Sequence, residues 1–287
     1  MGFVADVTIR PAVDADVATL DEITRTSESS GDAAERPPGV HNDYFAHLVR
    51  RGRVLVAVRD GTAVGFGAAV DTGRARHLAD LFVRRSVQGG GIGGRLLAEL
   101  YEDAWPRTTF GSDDPRAVPL YLRAGMQAYW PDLYLDGDPS TLPAVDGLTV
   151  VDAPFADVAE LEHAWAGVDR TPDLPYWSTL PDARPFVVRR AGRTVGAGIG
   201  RARLTGSGRS MHEAMAAPGE DGPGILLAAL RHGLAGSTLG GGCVPGASPL
   251  ARRLLELGFR VVDRDTFLAS DPRIVDPERE IVNTGIL

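Results

Sequence analysis

The sequence predicts an α/β (α+β) protein of two tandem domains, each a mixed, mostly antiparallel sheet flanked by helices. A chain of 287 residues with 44% hydrophobic residues is long enough to form two domains with cores of their own. An internal repeat supports this division, because "RVLVAVRDGTAVGFG" from Arg53 returns as "RPFVVRRAGRTVGAG" from Arg184 with identical residues at a constant spacing. We therefore expect a duplicated unit rather than two unrelated domains.

Two shorter matches extend the repeat on either side of this segment. "ADVATL" from Ala15 returns as "ADVAEL" from Ala156, and "YLRAGM" from Tyr121 returns as "LLELGF" from Leu254, in the same order in both halves. Pro, Gly and Asp cluster between two strand-like runs at 136–147, which is typical of a connection. The sequence thus predicts domains at residues 1–138 and 147–287.

Each half predicts the same series of elements. A strand ("VTIRPA", "LTVVDA") precedes a helix, and then two β-rich runs meet at a tight turn, which in the first half is Asp60-Gly61 in the type I′ form. A further helix, a strand and a last helix that ends at glycine complete the unit. In the first half the run 77–83 is a buried strand, and the helix after it places Leu96, Leu97, Leu100 and Trp105 near one face.

The amino-acid composition limits the classes of function that this chain can have. All 30 basic residues are arginine and the net charge is −8, which argues against nucleic-acid binding, since that draws on clustered positive charge. This charge mildly favours a cationic substrate, although an acidic surface that aids solubility is the simpler account. No apolar run is long enough to span a membrane, and the single cysteine, Cys243, excludes an intramolecular disulfide and a cysteine-rich metal site. We expect a cytoplasmic monomer or homodimer without a metal.

The stretch 89–94 holds five glycines in six positions. It follows a predicted strand and precedes a predicted helix, so its backbone N–H groups and the positive end of the helix dipole converge on one point. Missing Cβ atoms let an anion approach closely, and the fitting ligand is a phosphate or pyrophosphate. A plain flexible turn is the alternative, but it needs only one or two glycines.

Three phosphate-binding patterns compete for this stretch. The Walker pattern needs a lysine, which this chain lacks, so a P-loop NTPase is excluded. Gly89, Gly91 and Gly94 fit the dinucleotide pattern, with Asp113 near the distance of the acid it requires, but that pattern should follow the first strand of a βαβ unit. A nicotinamide- or flavin-dependent oxidoreductase therefore remains only an alternative. The third pattern is Gln/Arg-x-x-Gly-x-Gly/Ala, which Gln88 opens.

This third pattern resembles the GCN5-related N-acetyltransferases (GNAT family). The likeness extends to "DLFVRRSVQGGGIGGRLL" and "DPRAVPLYLRAGMQAYW", and spans roughly residues 7–136. It implies two tandem GNAT domains and acetyl-CoA as the acyl donor, with the pyrophosphate in the glycine loop and the pantetheine arm along the preceding strand. The cofactor-binding residues that it implies are Leu81, Phe82, Val83, Gln88, Gly89, Gly90, Gly91, Ile92, Gly93 and Gly94.

The resemblance also suggests two catalytic residues. Asp80 stands where family members often carry a carboxylate that acts as a base through water; a strand-end carboxylate that merely bonds a neighbouring N–H is equally plausible. Tyr121 stands where many carry a tyrosine able to protonate the departing thiolate, the alternative being a core tyrosine. Arg84, Arg85 and Arg95 are more simply explained as surface arginines than as phosphate ligands.

The other candidate residues each allow a structural and a functional interpretation. His77 fits a structural hydrogen bond better than a catalytic base. The polar segment 24–43 is either an acceptor wall or a solvated connector. Its acids are Glu28, Asp32, Glu35 and Asp43.

The second repeat looks degenerate. Glu220 and Asp221 occupy its glycine-loop position, Pro223 removes an N–H donor, Leu254 replaces Tyr121, and Glu213 stands near the place of Asp80. We expect this half to bind no cofactor, and to cover the acceptor side of the first domain or form a dimer contact. The tandem arrangement resembles the mycothiol synthases, in which the C-terminal copy is the active one.

The predicted function is acetyl transfer from acetyl-CoA to the primary amine of a small molecule. An antibiotic, an amino sugar and a thiol metabolite all remain open as acceptors. An acyl-CoA-binding sensor without turnover is the main alternative.

Overall fold

The computed structural model describes residues 7–27, 37–102, 104–112 and 114–287. The first repeat has this order: β1 Thr8–Pro11, α1 Val17–Ser27, α2 Asn42–Arg51, β2 Arg53–Arg59, β3 Thr62–Asp71, β4 Arg76–Val83, α3 Ile92–Leu100, β5 Arg107–Gly111, α4 Ala117–Arg123 and β6 Gln127–Gly137. The second repeat has the same order: β7 Leu148–Asp152, α5 Phe155–Ala166, α6 Leu174–Trp177, β8 Arg184–Arg190, β9 Arg193–Ala202, β10 Arg209–Ala216, α7 Gly222–Gly233, β11 Gly240–Pro245, α8 Pro249–Glu256 and β12 Arg260–Ala269. A short strand, β13 Glu280–Ile281, follows it. The predicted duplication and fold class are confirmed.

Matching local features support the duplication. The β2–β3 hairpin turns at Asp60 and Gly61, with φ of 51° and 75°, as the predicted type I′ turn requires. The β8–β9 hairpin turns at Ala191 and Gly192, with φ of 49° and 81°. One expectation was wrong: α3 ends at Leu100, and Trp105 is 64% exposed rather than on the buried helical face. Pro106 disfavours helical backbone at the residue before it, so the helix cannot continue to Trp105.

The two repeats share one sheet, with strand order β1-β2-β3-β4-β5-β12-β6-β11-β10-β9-β8-β7, and β13 pairs with β10. The last long strand of each repeat lies within the other repeat's part of the sheet: β12 pairs with β5 and β6, and β6 pairs with β12 and β11. Side chains from both repeats therefore meet at the centre of the sheet.

Parallel strands β4 and β5 separate partway along their length. They pair at Arg76–Arg107, His77–Thr108 and Leu78–Thr109, and the described residues form no further β4–β5 pair although β4 continues to Val83. Strands β10 and β11 pair at only two positions and then separate in the same way. Each repeat thus has a cleft between two splayed strands.

The sheet has a hydrophobic layer on each face. In the first repeat Leu78, Leu96, Leu100 and Tyr121 pack on the α3–α4 face. On the opposite face Phe45 of α2 joins a cluster that includes Trp177 of the second repeat. The repeats are thus joined by packed apolar side chains as well as by the shared sheet. No helix of the described residues is long and apolar enough to cross a membrane.

Candidate functional site

The glycine loop after β4 is open and has unused donors. Gly89 and Gly91 have φ of 84° and 77°, a region that favours glycine, and a Cβ added at either would meet nothing within 4 Å. Within the described residues, no protein acceptor bonds to the backbone N–H groups of 89–94. Helix α3 begins at Ile92, so its positive dipole end faces the same space. The loop can bind an anionic group of phosphate type.

Gln88 braces this loop rather than pointing away from the protein. Its Nε2 donates to the carbonyl oxygen of Val83 at 2.8 Å, and its Oε1 accepts from Arg116. Arg116 is also paired with Asp114 at 2.6 Å and lies at the loop mouth. The sequence analysis did not identify Arg116. The motif "DDPR" could have done so, because it places an arginine just before α4.

The cleft beside the loop exposes one edge of β4. Leu81, Phe82 and Val83 pair with β3 on one side, while beyond Leu78 no strand of the described residues pairs with the β5 side of β4. All three residues are partly exposed. The backbone groups of this segment that face the cleft can bind an extended ligand as an added strand would, while the Val83 carbonyl oxygen accepts from Gln88.

Asp80 lies on β4 at the start of this cleft. The Tyr44 hydroxyl donates to Asp80 Oδ2 at 2.8 Å and lies 3.3 Å from the carbonyl oxygen of Gly285. Asp80 is partly accessible, yet burial among its neighbours raises its pKa from 3.8 to about 6, and the bond from Tyr44 limits the rise. Such a carboxylate is mostly ionised at neutral pH and still basic enough to accept a proton.

Tyr121 approaches the cleft from the other face of the sheet. It is 7% exposed, and a Cβ added to Gly111 at the end of β5 would lie 3.1 Å from its ring. Burial, together with the negative charges of Asp265, Asp80 and Asp114, raises its pKa above the usual value. Tyr121 therefore keeps its proton at neutral pH, and it packs against the end of β5 that borders the cleft.

Residues from β6, β12 and the last residues of the chain complete this region. The Tyr134 hydroxyl donates to Asp265 Oδ2 at 2.7 Å and lies 3.4 Å from Thr284 Oγ1. His77 Nε2 lies 2.9 Å from the Thr284 carbonyl oxygen. Burial lowers the pKa of His77 to about 4, so it is neutral and donates a structural hydrogen bond, as expected. The sequence reasoning missed Tyr44, Tyr134 and Asp265.

The remaining sequence candidates are dispersed. Arg84 pairs with Glu22, and Arg95 donates to the carbonyl oxygen of Val7 at 2.9 Å. Asp43 is exposed on α2. Glu28, Asp32, Glu35 and Asp113 lie outside the described residues. Within the described part of the chain, no group of three or more His, Cys, Asp or Glu side chains could hold a metal ion.

The equivalent loop of the second repeat is filled by its own residues. Asp221 caps α7 by accepting from the Gly224 N–H at 3.3 Å, and Glu220 pairs with Arg190 at 2.6 Å and Arg193 at 2.9 Å. A Cβ added to Gly222 would lie 2.2 Å from the Glu278 carbonyl oxygen, so the chain leading to β13 covers the loop.

The strand register aligns Glu213 with Asp80. Asp80 pairs with Ala68, and Glu213 pairs with Ile199, the counterpart of Ala68 in the hairpin repeat. Arg170 Nη2 lies 2.9 Å from Glu213 Oε2, so Glu213 is held in a buried ion pair. Glu213 thus matches Asp80 in position but not in environment.

Comparisons with known proteins agree with this geometry. Residues 50–127 match the family model described as acetyltransferase (GNAT) domain. No curated protein matches the sequence. Solved structures with a similar fold include a Pyrococcus horikoshii protein, 18% identical, with a TM-score of 0.71 and coverage of 100% of this chain and 96% of that chain. A GCN5-related N-acetyltransferase from Sphaerobacter thermophilus is 16% identical, with a TM-score of 0.60 and coverage of 98% of both chains.

A tandem GNAT protein from the clavulanic acid biosynthesis pathway is also similar. It is 18% identical, with a TM-score of 0.60 and coverage of 93% of this chain and 99% of that chain. At these identities the likeness shows the fold, and it extends over both repeats.

Proposed function

Since this chain carries a GNAT acetyltransferase domain and has the tandem GNAT fold along its length, we propose that it transfers an acetyl group from acetyl-CoA to the primary amine of a small molecule. One observation carries the proposal: Asp80, bonded to Tyr44 on one face of the sheet, and Tyr121, packed on the other face, flank the β4–β5 cleft, beside a glycine loop whose N–H groups have no protein acceptor among the described residues.

The residues present fit acetyl-CoA. The N–H groups of 89–94 would hold the pyrophosphate, and the free edge of Leu81, Phe82 and Val83 would hold the pantetheine arm. Arg116, itself paired with Asp114, holds Gln88 at the loop mouth. Bound acetyl-CoA supplies an activated acetyl thioester.

Asp80 acts as the general base. Amines are mostly protonated at neutral pH, so one proton must leave before the nitrogen can attack. Asp80 accepts that proton, directly or through water, and its pKa of about 6 keeps it ionised beforehand. Tyr44 holds the carboxylate in place by its hydrogen bond at 2.8 Å.

Tyr121 acts as the general acid. The C–N bond forms as the C–S bond breaks, and the Tyr121 hydroxyl protonates the departing sulfur. The second proton that the nitrogen loses on becoming an amide passes to solvent, and solvent reprotonates Tyr121. Its raised pKa ensures that the phenol carries the proton to be donated.

The chain has one coenzyme site, in the first repeat. In the second repeat, β13 pairs with β10 at Ala214–Ile281 and Met215–Glu280, where the cleft would otherwise be free. Ala214 and Met215 follow Glu213 as Leu81 and Phe82 follow Asp80, so β13 lies where the pantetheine arm would bind. Asp221 already satisfies the helix end there.

Calorimetric titration with acetyl-CoA tests the coenzyme site. Gly90 has no positive φ, and its added Cβ would meet only the Val87 carbonyl oxygen at 3.6 Å, so Gly90 can be replaced without strain. We expect one site per chain in the wild type, loss of binding in Gly90→Glu, and retained though weaker binding in the equally large, neutral Gly90→Gln.

Three results would contradict the proposal. Two sites per chain would refute the silent second repeat. Equal binding by Gly90→Glu and the wild type would refute the loop assignment. Binding without release of free thiol for any amine would favour the acyl-CoA sensor.

A further inference from the structure

Arg201 is a packed guanidinium without a counter-ion. It lies near the end of β9 and is only partly exposed. Its Nη1 donates to the Ala202 carbonyl oxygen at 3.0 Å, while its Nε is buried without an acceptor and no carboxylate of the described residues pairs with it. Arg203, two residues further on, is by contrast paired with Asp136. Burial lowers the pKa of Arg201, yet an arginine stays protonated at neutral pH, so its charge lacks a compensating anion.

His212 of β10 has a second unused donor. It is 3% exposed, and its Nε2 has no partner in the part of the chain that the structure describes. Asn283 Oδ1 accepts from the N–H groups of Gly285 and Ile286 at 2.9 and 3.2 Å, so its Nδ2 is the group that donates to His212 Nδ1 at 3.1 Å. Burial and the charge of Arg201 hold the pKa of His212 well below its usual value. The ring is therefore neutral, with its proton on Nε2.

Arg201 and His212 lie close together beside Tyr176. Strands β9 and β10 are neighbours, and Arg201 pairs in register with Ser210, two residues before His212. The charge of Arg201 acts on both His212 and Tyr176, whose ring centroids are 6.4 Å apart. One ligand can therefore accept from the Arg201 Nε–H and the His212 Nε2–H together.

Two sets of contacts connect this pair of donors with Asp80. Tyr44 donates to Asp80 at 2.8 Å, and its ring lies 6.2 Å from that of Tyr176, in the same apolar cluster. The Tyr44 hydroxyl also lies 3.3 Å from the carbonyl oxygen of Gly285, in the turn that Asn283 holds. One face of the sheet thus has the proposed base at one end and an uncompensated positive charge at the other.

We propose that Arg201 and His212 bind a carboxylate of the acceptor, so that the substrates are amines that also carry a carboxylate. This inference rests on the proposed function. The amine end loses a proton to Asp80 and is acetylated, while the carboxylate accepts from Arg201 Nε and His212 Nε2. A carboxylate fits better than a phosphate monoester, because one guanidinium and one neutral imidazole balance a single negative charge.

Acceptors matched in length test this subsite. The full chain is assayed by thiol release with glycine, 4-aminobutanoate and 6-aminohexanoate, each against its uncharged amide, in the wild type, Arg201→Gln and Arg201→Lys. Arg189→Gln serves as the control, because Arg189 is an exposed arginine on the neighbouring strand β8. The wild type should prefer the carboxylates. Arg201→Gln should lower the carboxylate-to-amide ratio of kcat/KM by roughly 10- to 100-fold, the loss expected for a hydrogen bond to a charged group, while Arg201→Lys keeps part of the preference.

Stability separates a binding role for Arg201 from a structural one. Removing a packed charge that has no counter-ion relieves a desolvation cost, so Arg201→Gln should unfold in urea at a midpoint no lower than that of the wild type. A lower midpoint together with an unchanged ratio would show that Arg201 supports the fold, and would overturn the subsite.

The outcomes separate this inference from the proposed function. Equal use of carboxylates and amides by the wild type, or an unchanged ratio in Arg201→Gln, overturns the subsite while acetyl transfer stands. Faster use of 3-aminopropylphosphonate than of 4-aminobutanoate overturns the choice of a carboxylate. If no amine is acetylated, titration of the protein with the three amino carboxylates in the presence of CoA decides. Binding that is lost in Arg201→Gln but kept in Arg189→Gln supports the subsite, and absence of binding to the wild type overturns it.

Discussion

Replacing Tyr44 by phenylalanine should raise the pH at which the protein becomes active. Asp80 must be unprotonated to act as a base, so kcat/KM rises with pH through its pKa, which is about 6. Tyr44 lowers that pKa by donating at 2.8 Å. A hydrogen bond to a charged group is worth about 1.5–3 kcal/mol, or about 1–2 pKa units, and the partial exposure of Asp80 reduces this to about one unit.

The Tyr44→Phe variant should therefore have its acid limb near about pH 7. Around pH 6 its ionised fraction of Asp80 falls from about one half to about one tenth, so the activity falls about fivefold, while near pH 8.5 it stays almost unchanged. The assay is free-thiol release over this pH range, compared with Tyr129→Phe, which alters a tyrosine for which no contact with Asp80 is found. An acid limb that stays in place or moves to lower pH would show that Asp80 is not the base.

Two further predictions concern Tyr121 and the buried charges of the second repeat. Tyr121→Phe should lower kcat about 100-fold and leave the Kd for acetyl-CoA nearly unchanged, as rapid-quench kinetics and calorimetry can measure; a rate within a few-fold of wild type would refute its role as acid. Arg170→Met should destabilise the fold by about 3–5 kcal/mol, because it leaves buried carboxylates uncompensated, whereas Arg252→Met at an exposed pair should change the free energy of unfolding in urea by less than about 1 kcal/mol.

The coenzyme side of the site could be predicted because its signals are local. The predicted strand, Gln88 and the five glycines follow one another along the chain. A glycine-rich turn at a helix N-terminus exposes backbone N–H groups, and these can bind an anion. Asp80 and Tyr121 could be named as candidates because each lies within a short motif whose order resembles that of the family. The repeat was visible for a similar reason: hairpin turns and glycine spacing are conserved at fixed distances along the chain.

The acceptor side could not be predicted because its contacts join distant residues. Tyr44 lies 36 residues before Asp80 and 241 before Gly285, and Tyr134 lies 131 before Asp265. Nothing local to β6 or β12 says between which strands each will lie. The one available signal was the alternation of Trp130, Asp132 and Tyr134, which puts a carboxylate at an inward-facing position of a strand.

The strand exchange lets the second repeat contribute to the cleft of the first, whether or not the second repeat binds a coenzyme itself. Asp265 reaches the first repeat's cleft because β12 lies next to β5, and Gly285 and Thr284 lie against Tyr44 and Tyr134. Residues 276–281 fill the second cleft on the way to these positions. The same segment thus closes one cleft and lines the other, so the degenerate repeat can be kept for the acceptor wall that it supplies. Under the proposed function, the first repeat would provide the base, the acid and the coenzyme loop, and the second would provide part of the wall of the acceptor cleft.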